Sequence, residues 1–212
     1  MASGSNTMVV VVDYGVGNLA SVCNMLRRAG AKVSISGQPE EILAADKLVL
    51  PGVGHFDYGM KMLDASGLRS ALDRFALKLQ RPVLGICLGA QMLGRSSEEG
   101  SASGLGWLDM RCLRLPDTPD LRVPHMGWAQ VRQIRPCPLL DAAATDARYY
   151  FVHTYFMQCA DATDMTGTSM YGMEFCSVVQ RGHIFGTQFH PEKSLRHGLA
   201  LMRAFAEFQS DE

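Results

Sequence analysis

The clearest chemical signal in this sequence is a cysteine set between glycines. Gly85-Ile86-Cys87-Leu88-Gly89 follows an apolar run from Pro82 to Ile86 and precedes a helical stretch. This places a sulfur nucleophile on a tight strand-to-helix turn. Hydrogen-only neighbours let such a turn close and leave the side chain clear of the sheet. The amides that open the next helix are unpaired and lie at its positive end, so they favour a thiolate and can hold an oxyanion. The alternative is a buried thiol that only packs, the commoner fate of an intracellular cysteine.

A thiol nucleophile needs a base. Among six histidines, His190 is the best placed, because Pro191 ends the strand directly after it and Glu192 stands two positions on. The carboxylate can orient the imidazole so that its free nitrogen faces Cys87. His153 sits in an aromatic run and is a candidate pocket residue. Pro51-Gly52-Val53-Gly54 ends another strand with two glycines around one amide, a turn able to aim N–H groups at an anion. Facing Cys87, it would pair with the Leu88 amide as a second oxyanion donor. Gly15-Val16-Gly17-Asn18-Leu19-Ala20 fits a dinucleotide-binding fingerprint, but the next strand ends Ile35-Ser36-Gly37-Gln38, without the acidic residue that would bind a ribose.

The elements that must position these residues follow from periodicity. Val9 to Val12 reads as a strand buried on both faces, with a helix from about Asn18 to Ala29. Lys32 to Ser36 and Lys47 to Leu50 are the next strands, with a brief helix around Glu40 to Ile42 between them. An amphipathic segment, Leu68 to Leu79, leads to the strand Pro82 to Ile86. This alternation predicts an α/β fold with a mostly parallel central sheet flanked by helices, the nucleophile and base both lying at C-terminal strand ends. From Trp107 the texture changes to short runs: Met110 to Leu115, Ala129 to Ile134, Tyr149 to Phe156 and Cys176 to Arg181. These predict antiparallel additions. Ile184 to Phe189 is the last strand and Leu195 to Phe208 a closing amphipathic helix, while Pro116 to Pro124 is a surface loop.

Composition narrows the function classes. The chain has 212 residues, and 20 Lys plus Arg against 21 Asp plus Glu leave a net charge of −1, which gives no basic arm for nucleic acid. No apolar run approaches the roughly 18 residues that would cross a membrane. Residues 1–7 read as a tag-like tail and residues 8–212 as one domain. The six cysteines are far apart with no CxxC pair, the pattern of free thiols in a cytoplasmic protein, and no metal site is expected.

The motifs together resemble the class I, triad-type glutamine amidotransferases, and within them the glutaminase subunits of imidazole glycerol phosphate synthases. The resemblance spans almost all of the chain from Met8. It rests on Asp13 to Leu19, Pro51 to Phe56, Gly85 to Gln91, Pro124-His125-Met126-Gly127-Trp128, Tyr150 to Tyr155 and Phe185 to Ser194. It implies a flavodoxin-like fold and a Cys87, His190 and Glu192 triad that hydrolyses L-glutamine through a glutamyl thioester. It also implies oxyanion donors at Val53 and Leu88, glutamine contacts at Gly52, Gln91, Thr154 and Tyr155, and no cofactor. By the same resemblance, ammonia passes to a (β/α)8-barrel synthase subunit of histidine biosynthesis, in a heterodimer whose interface includes Asn18, Met126, Trp128, Tyr150 and Lys193. Two positions depart from the family pattern. Ala90 stands in place of methionine and Ala129 in place of asparagine, which leaves open a paralogue feeding another acceptor, such as a sugar amidotransferase of surface-polysaccharide synthesis. A peptidase or esterase with the same elbow, and a non-enzymatic nucleotide or thiol-sensing module, are the readings from other classes.

Overall fold

The computed structural model describes residues 7–119, 121–141 and 143–209, so residues 1–6 of the tag-like stretch lie outside it. The first half alternates strand and helix: β1 (Met8–Val12), α1 (Leu19–Arg28), β2 (Lys32–Ser36), α2 (Pro39–Ala44), β3 (Lys47–Gly52), α3 (Phe56–Ala65), α4 (Arg69–Asp73), β4 (Val83–Cys87) and α5 (Leu88–Met92). The second half is mostly strand: β5 (Ser96–Ser97), β6 (Met110–Arg114), β7 (His125–Gln130), β8 (Arg132–Gln133), β9 (Arg148–His153), β10 (Tyr155–Cys159), β11 (Met165–Tyr171), β12 (Met173–Arg181) and β13 (Ile184–Thr187), closed by α6 (Leu195–Glu207).

Among the described residues, the main sheet runs β2-β1-β3-β4-β13-β12-β10-β6-β5, with β11 pairing β12 and β8 pairing β11. The five strands from β2 to β13 are mutually parallel, and β12, β10 and β6 continue antiparallel. β7 and β9 form a separate two-stranded ribbon. Side chains alternate across the sheet. Val10, Val12, Leu48 and Leu50 join one core with Phe56, Met60 and Leu63 of α3. Val9, Val11, Val49, Leu84 and Ile86 join the other with Val22 and Leu26 of α1 and Leu201 and Phe205 of α6. Each such side chain, fully buried, contributes about 1.5–3 kcal/mol.

Several elements differ from the sequence-based expectation. α3 was not anticipated. Its buried Phe56, Gly59, Met60 and Leu63 keep helical spacing, but Gly59 interrupts the apolar pattern. The segment expected to be one helix from Leu68 is α4 followed by a π-helical turn, Arg74–Lys78, in which the Leu79 N–H reaches the Arg74 carbonyl at 2.9 Å. The run Ala129 to Ile134 splits at Val131, and its first strand starts earlier, at His125. The run Tyr149 to Phe156 breaks at Thr154 into β9 and β10, which belong to different sheets. β11 was missed because Thr166, Gly167, Thr168 and Ser169 carry almost no hydrophobic signal.

Candidate active site

Cys87 ends β4 with φ +54° and ψ −112°, a left-handed conformation that a non-glycine residue adopts at a cost of order 1–3 kcal/mol. The strain therefore sits on the cysteine itself. The flanking glycines serve close approach instead. A Cβ on Gly85 would stand 2.7 Å from the Ala90 Cα, and one on Gly52, the ladder partner of Cys87, would stand 2.5 Å from the Gly89 nitrogen. α5 is thus pressed onto β3 and β4. With only Leu88 to Met92 in that helix, the first free amides, rather than a long helix dipole, give the site its positive character.

β13 lies beside β4 in parallel register, with Thr187 opposite Ile86, so His190 follows the strand next to that of Cys87. Its backbone N–H donates to the Tyr150 carbonyl at 2.9 Å, and its carbonyl accepts from Ser194 Oγ at 2.6 Å. The ring donates through Nδ1 to Glu192 Oε1 at 2.8 Å, and both side chains are buried. Nε2 is buried without an aligned hydrogen bond. Burial opposes a charge on this ring, yet hydrogen bonding and attraction to Cys87 and Glu192 outweigh it and push the His190 pKa up to about 10. The environment therefore favours an imidazolium held between sulfur and carboxylate.

A cavity of about 460 Å³ opens at this strand edge and is lined by Val53, Cys87, Leu88, Gln91, Thr154, Tyr155 and His190. Glu192 and Gly52, both expected at the site, are not among the residues that line it. The Gln91 amide is engaged, since Nε2 donates to the Tyr155 carbonyl at 2.9 Å and to Gln188 Oε1 at 3.1 Å. His153 also lines the cavity. Sequence reasoning did not single out Glu99, another lining residue whose Oε2 accepts from the Phe56 N–H at 2.7 Å, at the start of α3. Asp57 holds the loop that carries Glu99, accepting from the Ser101 and Ala102 N–H groups at 3.0 and 2.9 Å. Without α3 in the sequence reading, this pairing had no signal.

Four of the five expected interface residues lie near one another, with Trp128 of β7 opposite Tyr150 of β9 and Met126 opposite Val152, a residue that lines the cavity. Met126 and Trp128 project from β7 and are 63% and 46% exposed. Trp128 meets Tyr150 edge to face at 6.0 Å, and Lys193 Nζ lies over the Tyr150 ring at 5.7 Å. Asn18 caps α1, its side chain accepting from the Ser21 N–H at 3.3 Å. Ala129 turns the other way and packs with the core shared by Tyr149 and Phe151. Ala90 is fully buried. The glycine turn after β1 is used for packing: Gly17 abuts Pro51, and Asp13 accepts from the Gly15 N–H at 3.0 Å. Among the described residues, no group of three His, Cys, Asp or Glu could hold a metal ion, and no helix is long and apolar enough to cross a membrane.

A doubly wound sheet with a cysteine elbow and a histidine on adjacent strand ends defines the class, and the chain belongs to the class I glutamine amidotransferases: the family model described as glutamine amidotransferase class-I matches residues 10–207. Within that family it is 49% identical over 200 residues to the imidazole glycerol phosphate synthase subunit HisH 2 of Pseudomonas aeruginosa, covering 94% of this chain and 99% of that one. It is 40% identical over 203 residues to subunit HisH of Bdellovibrio bacteriovorus, covering 94% and 100%. Among solved structures, PurLQS from Thermotoga maritima superposes with a TM-score of 0.73 at 18% identity, covering 94% of this chain and 97% of the other, a likeness of fold.

Proposed function

We propose that this chain is the glutaminase subunit of an imidazole glycerol phosphate synthase, working in the cytoplasm and supplying ammonia to a (β/α)8-barrel partner in histidine biosynthesis. The observation that carries the chemistry is the placing of Cys87 and His190 on neighbouring strand ends, with Glu192 bonded to the far ring nitrogen. In this reading the Cys87 sulfur attacks the side-chain amide carbon of glutamine and the carbonyl electrons move to oxygen. That oxyanion is met by the amides of Val53 and Leu88, each worth roughly 3 kcal/mol in the transition state. His190 gives its proton to the departing ammonia, then removes one from the water that cleaves the thioester, while Glu192 keeps the ring oriented.

Gly52, Gln91, Thr154 and Tyr155 frame the glutamine, and with Nε2 of Gln91 engaged, its oxygen is the group left for substrate. The Glu99 carboxylate suits the α-ammonium group. The partner docks on the face of Met126, Trp128, Tyr150 and Lys193, with Asn18 as a further contact, and Met126 and Trp128 are exposed apolar side chains on that face. The relatives named as synthase subunits support this assignment over a paralogue with another acceptor. The inward direction of Ala129 supports it too, because the departure there leaves the exposed face unaltered. The test is glutamine hydrolysis with and without a barrel synthase subunit from the same organism. Stimulated turnover, lost in Cys87→Ala with binding retained, is the expected result. Hydrolysis retained in Cys87→Ala would refute the mechanism.

A further inference from the structure

The sulfur has a neighbour that the triad does not use. Gln188 is fully buried between β13 and His190, its backbone N–H donating to the Ser177 carbonyl at 2.9 Å. Its side-chain Nε2 lies 3.9 Å from Cys87 Sγ, within the range of a hydrogen bond to sulfur. The direction of this amide is fixed by its partners. The Tyr155 carbonyl can only accept, so the group of Gln91 that faces it is the NH₂, and the same NH₂ meets Gln188 at 3.1 Å. Gln188 must then turn its oxygen to Gln91 and its own N–H toward the sulfur.

We propose that Gln188 is a thiolate-stabilising donor to Cys87, with Gln91 as the positioning residue that keeps its amide turned that way. The assignment rests on the reading of Cys87 as the nucleophile. When the S–H bond breaks, its electron pair stays on sulfur and the proton forms the Nε2–H bond of His190. Gln188 keeps its protons and donates one N–H to the new lone pair. A hydrogen bond to the charged form favours that form. The sulfur also lies 3.9 Å from the Val152 carbonyl, which can only accept and so favours the S–H form. Around the sulfur, Tyr14 and Cys112 are also titratable, but burial pushes both well above their ordinary values. The Tyr14 hydroxyl is committed to the Pro51 carbonyl at 2.7 Å, and the Cys112 thiol faces the Gln91 carbonyl at 3.9 Å. His190 carries the exchanging proton, and Gln188 is the neutral side-chain donor.

The experiment compares carbamidomethylation of Cys87 by iodoacetamide at neutral pH in the parent chain and in Gln188→Met, read by mass spectrometry of the Cys87 peptide. A charge-assisted hydrogen bond of this kind corresponds to a fall of about tenfold or more in alkylation rate. In glutamine hydrolysis, kcat should fall in parallel and KM should change by less than about twofold. Equal alkylation rates in a folded Gln188→Met protein overturn the proposal. Should that variant fail to fold, the side-chain amide resonance of Gln188 in glutamine-labelled parent protein decides. A shift on alkylation of Cys87 supports the contact, and an unmoved resonance overturns it. Absence of glutaminase activity in the parent would instead remove the glutaminase reading and leave the alkylation comparison intact.

Discussion

Gly89 lies against Leu50 so closely that a Cβ on it would stand 1.9 Å from the Leu50 carbonyl oxygen. Backbone on both sides leaves nothing flexible to yield. Gly89→Ala is therefore expected to destabilise the fold by at least ~3 kcal/mol and to displace the elbow. Urea denaturation of the variant checks this, and a midpoint equal to that of the parent would contradict the contact.

The left-handed backbone at Cys87 predicts a trade between activity and stability. Cys87→Gly removes the proposed nucleophile and relieves a conformation that costs an L-residue on the order of 1–3 kcal/mol. The variant should be inactive yet melt above Cys87→Ala, as calorimetry of the two proteins will show.

Glu192→Gln should reduce kcat on the order of 10³-fold, because the neutral amide neither holds the imidazolium nor fixes its tautomer. The same contact sets an alkaline limit. The His190 pKa is raised from 6.5 to about 10, with Cys87 and Glu192 overcoming the effect of burial. Its contribution to stability is then fully present below pH 6.5 and lost as pH rises through about 10. Denaturation of the parent between pH 7 and 10.5 should show that loss, and Glu192→Gln should show less of it.

On the acid side the sign is reversed. His125 Nδ1 lies 3.0 Å from His153 Nε2, and burial lowers the two pKa values to about 4 and about 3, with the neighbouring histidines adding to the effect at His153. The unfolded chain binds the extra protons first, so this pair contributes stability above pH 6.5 and loses it as pH falls toward 3. Stability measured from pH 7 to 4.5 should fall less steeply in His125→Gln, relative to its own value at pH 7, than in the parent.

Asp57→Ala should release the loop at Ser101 and Ala102 that carries Glu99. KM for glutamine is expected to rise about tenfold with kcat little changed, since ground-state binding alone is weakened. Steady-state kinetics with the partner present will separate the two effects.

The sequence made the parallel half of the sheet legible because Val9 to Val12, Lys47 to Leu50 and Val83 to Ile86 are short apolar runs with glycine turns after them, a pattern few other elements produce. Cys87, His190 and Glu192 were readable for a related reason, as each sits where such a run stops. Glu99 was not readable. Its place in the cavity depends on α3, whose helical face is interrupted by Gly59, and on the reach of Asp57 to a loop far along the chain. The division of labour between Gly85, Cys87 and Gly89 was likewise hidden, because spacing reveals a tight turn without saying which residue bears the unusual dihedral and which the steric contact.

The placement of β13 between β4 and β12 also orders events during synthesis. The ribosome releases the elbow long before it releases the strand that brings His190 alongside. A nascent or prematurely terminated chain therefore carries Cys87 without the imidazole proposed to take its proton, and on that reading it spares the cell's free glutamine.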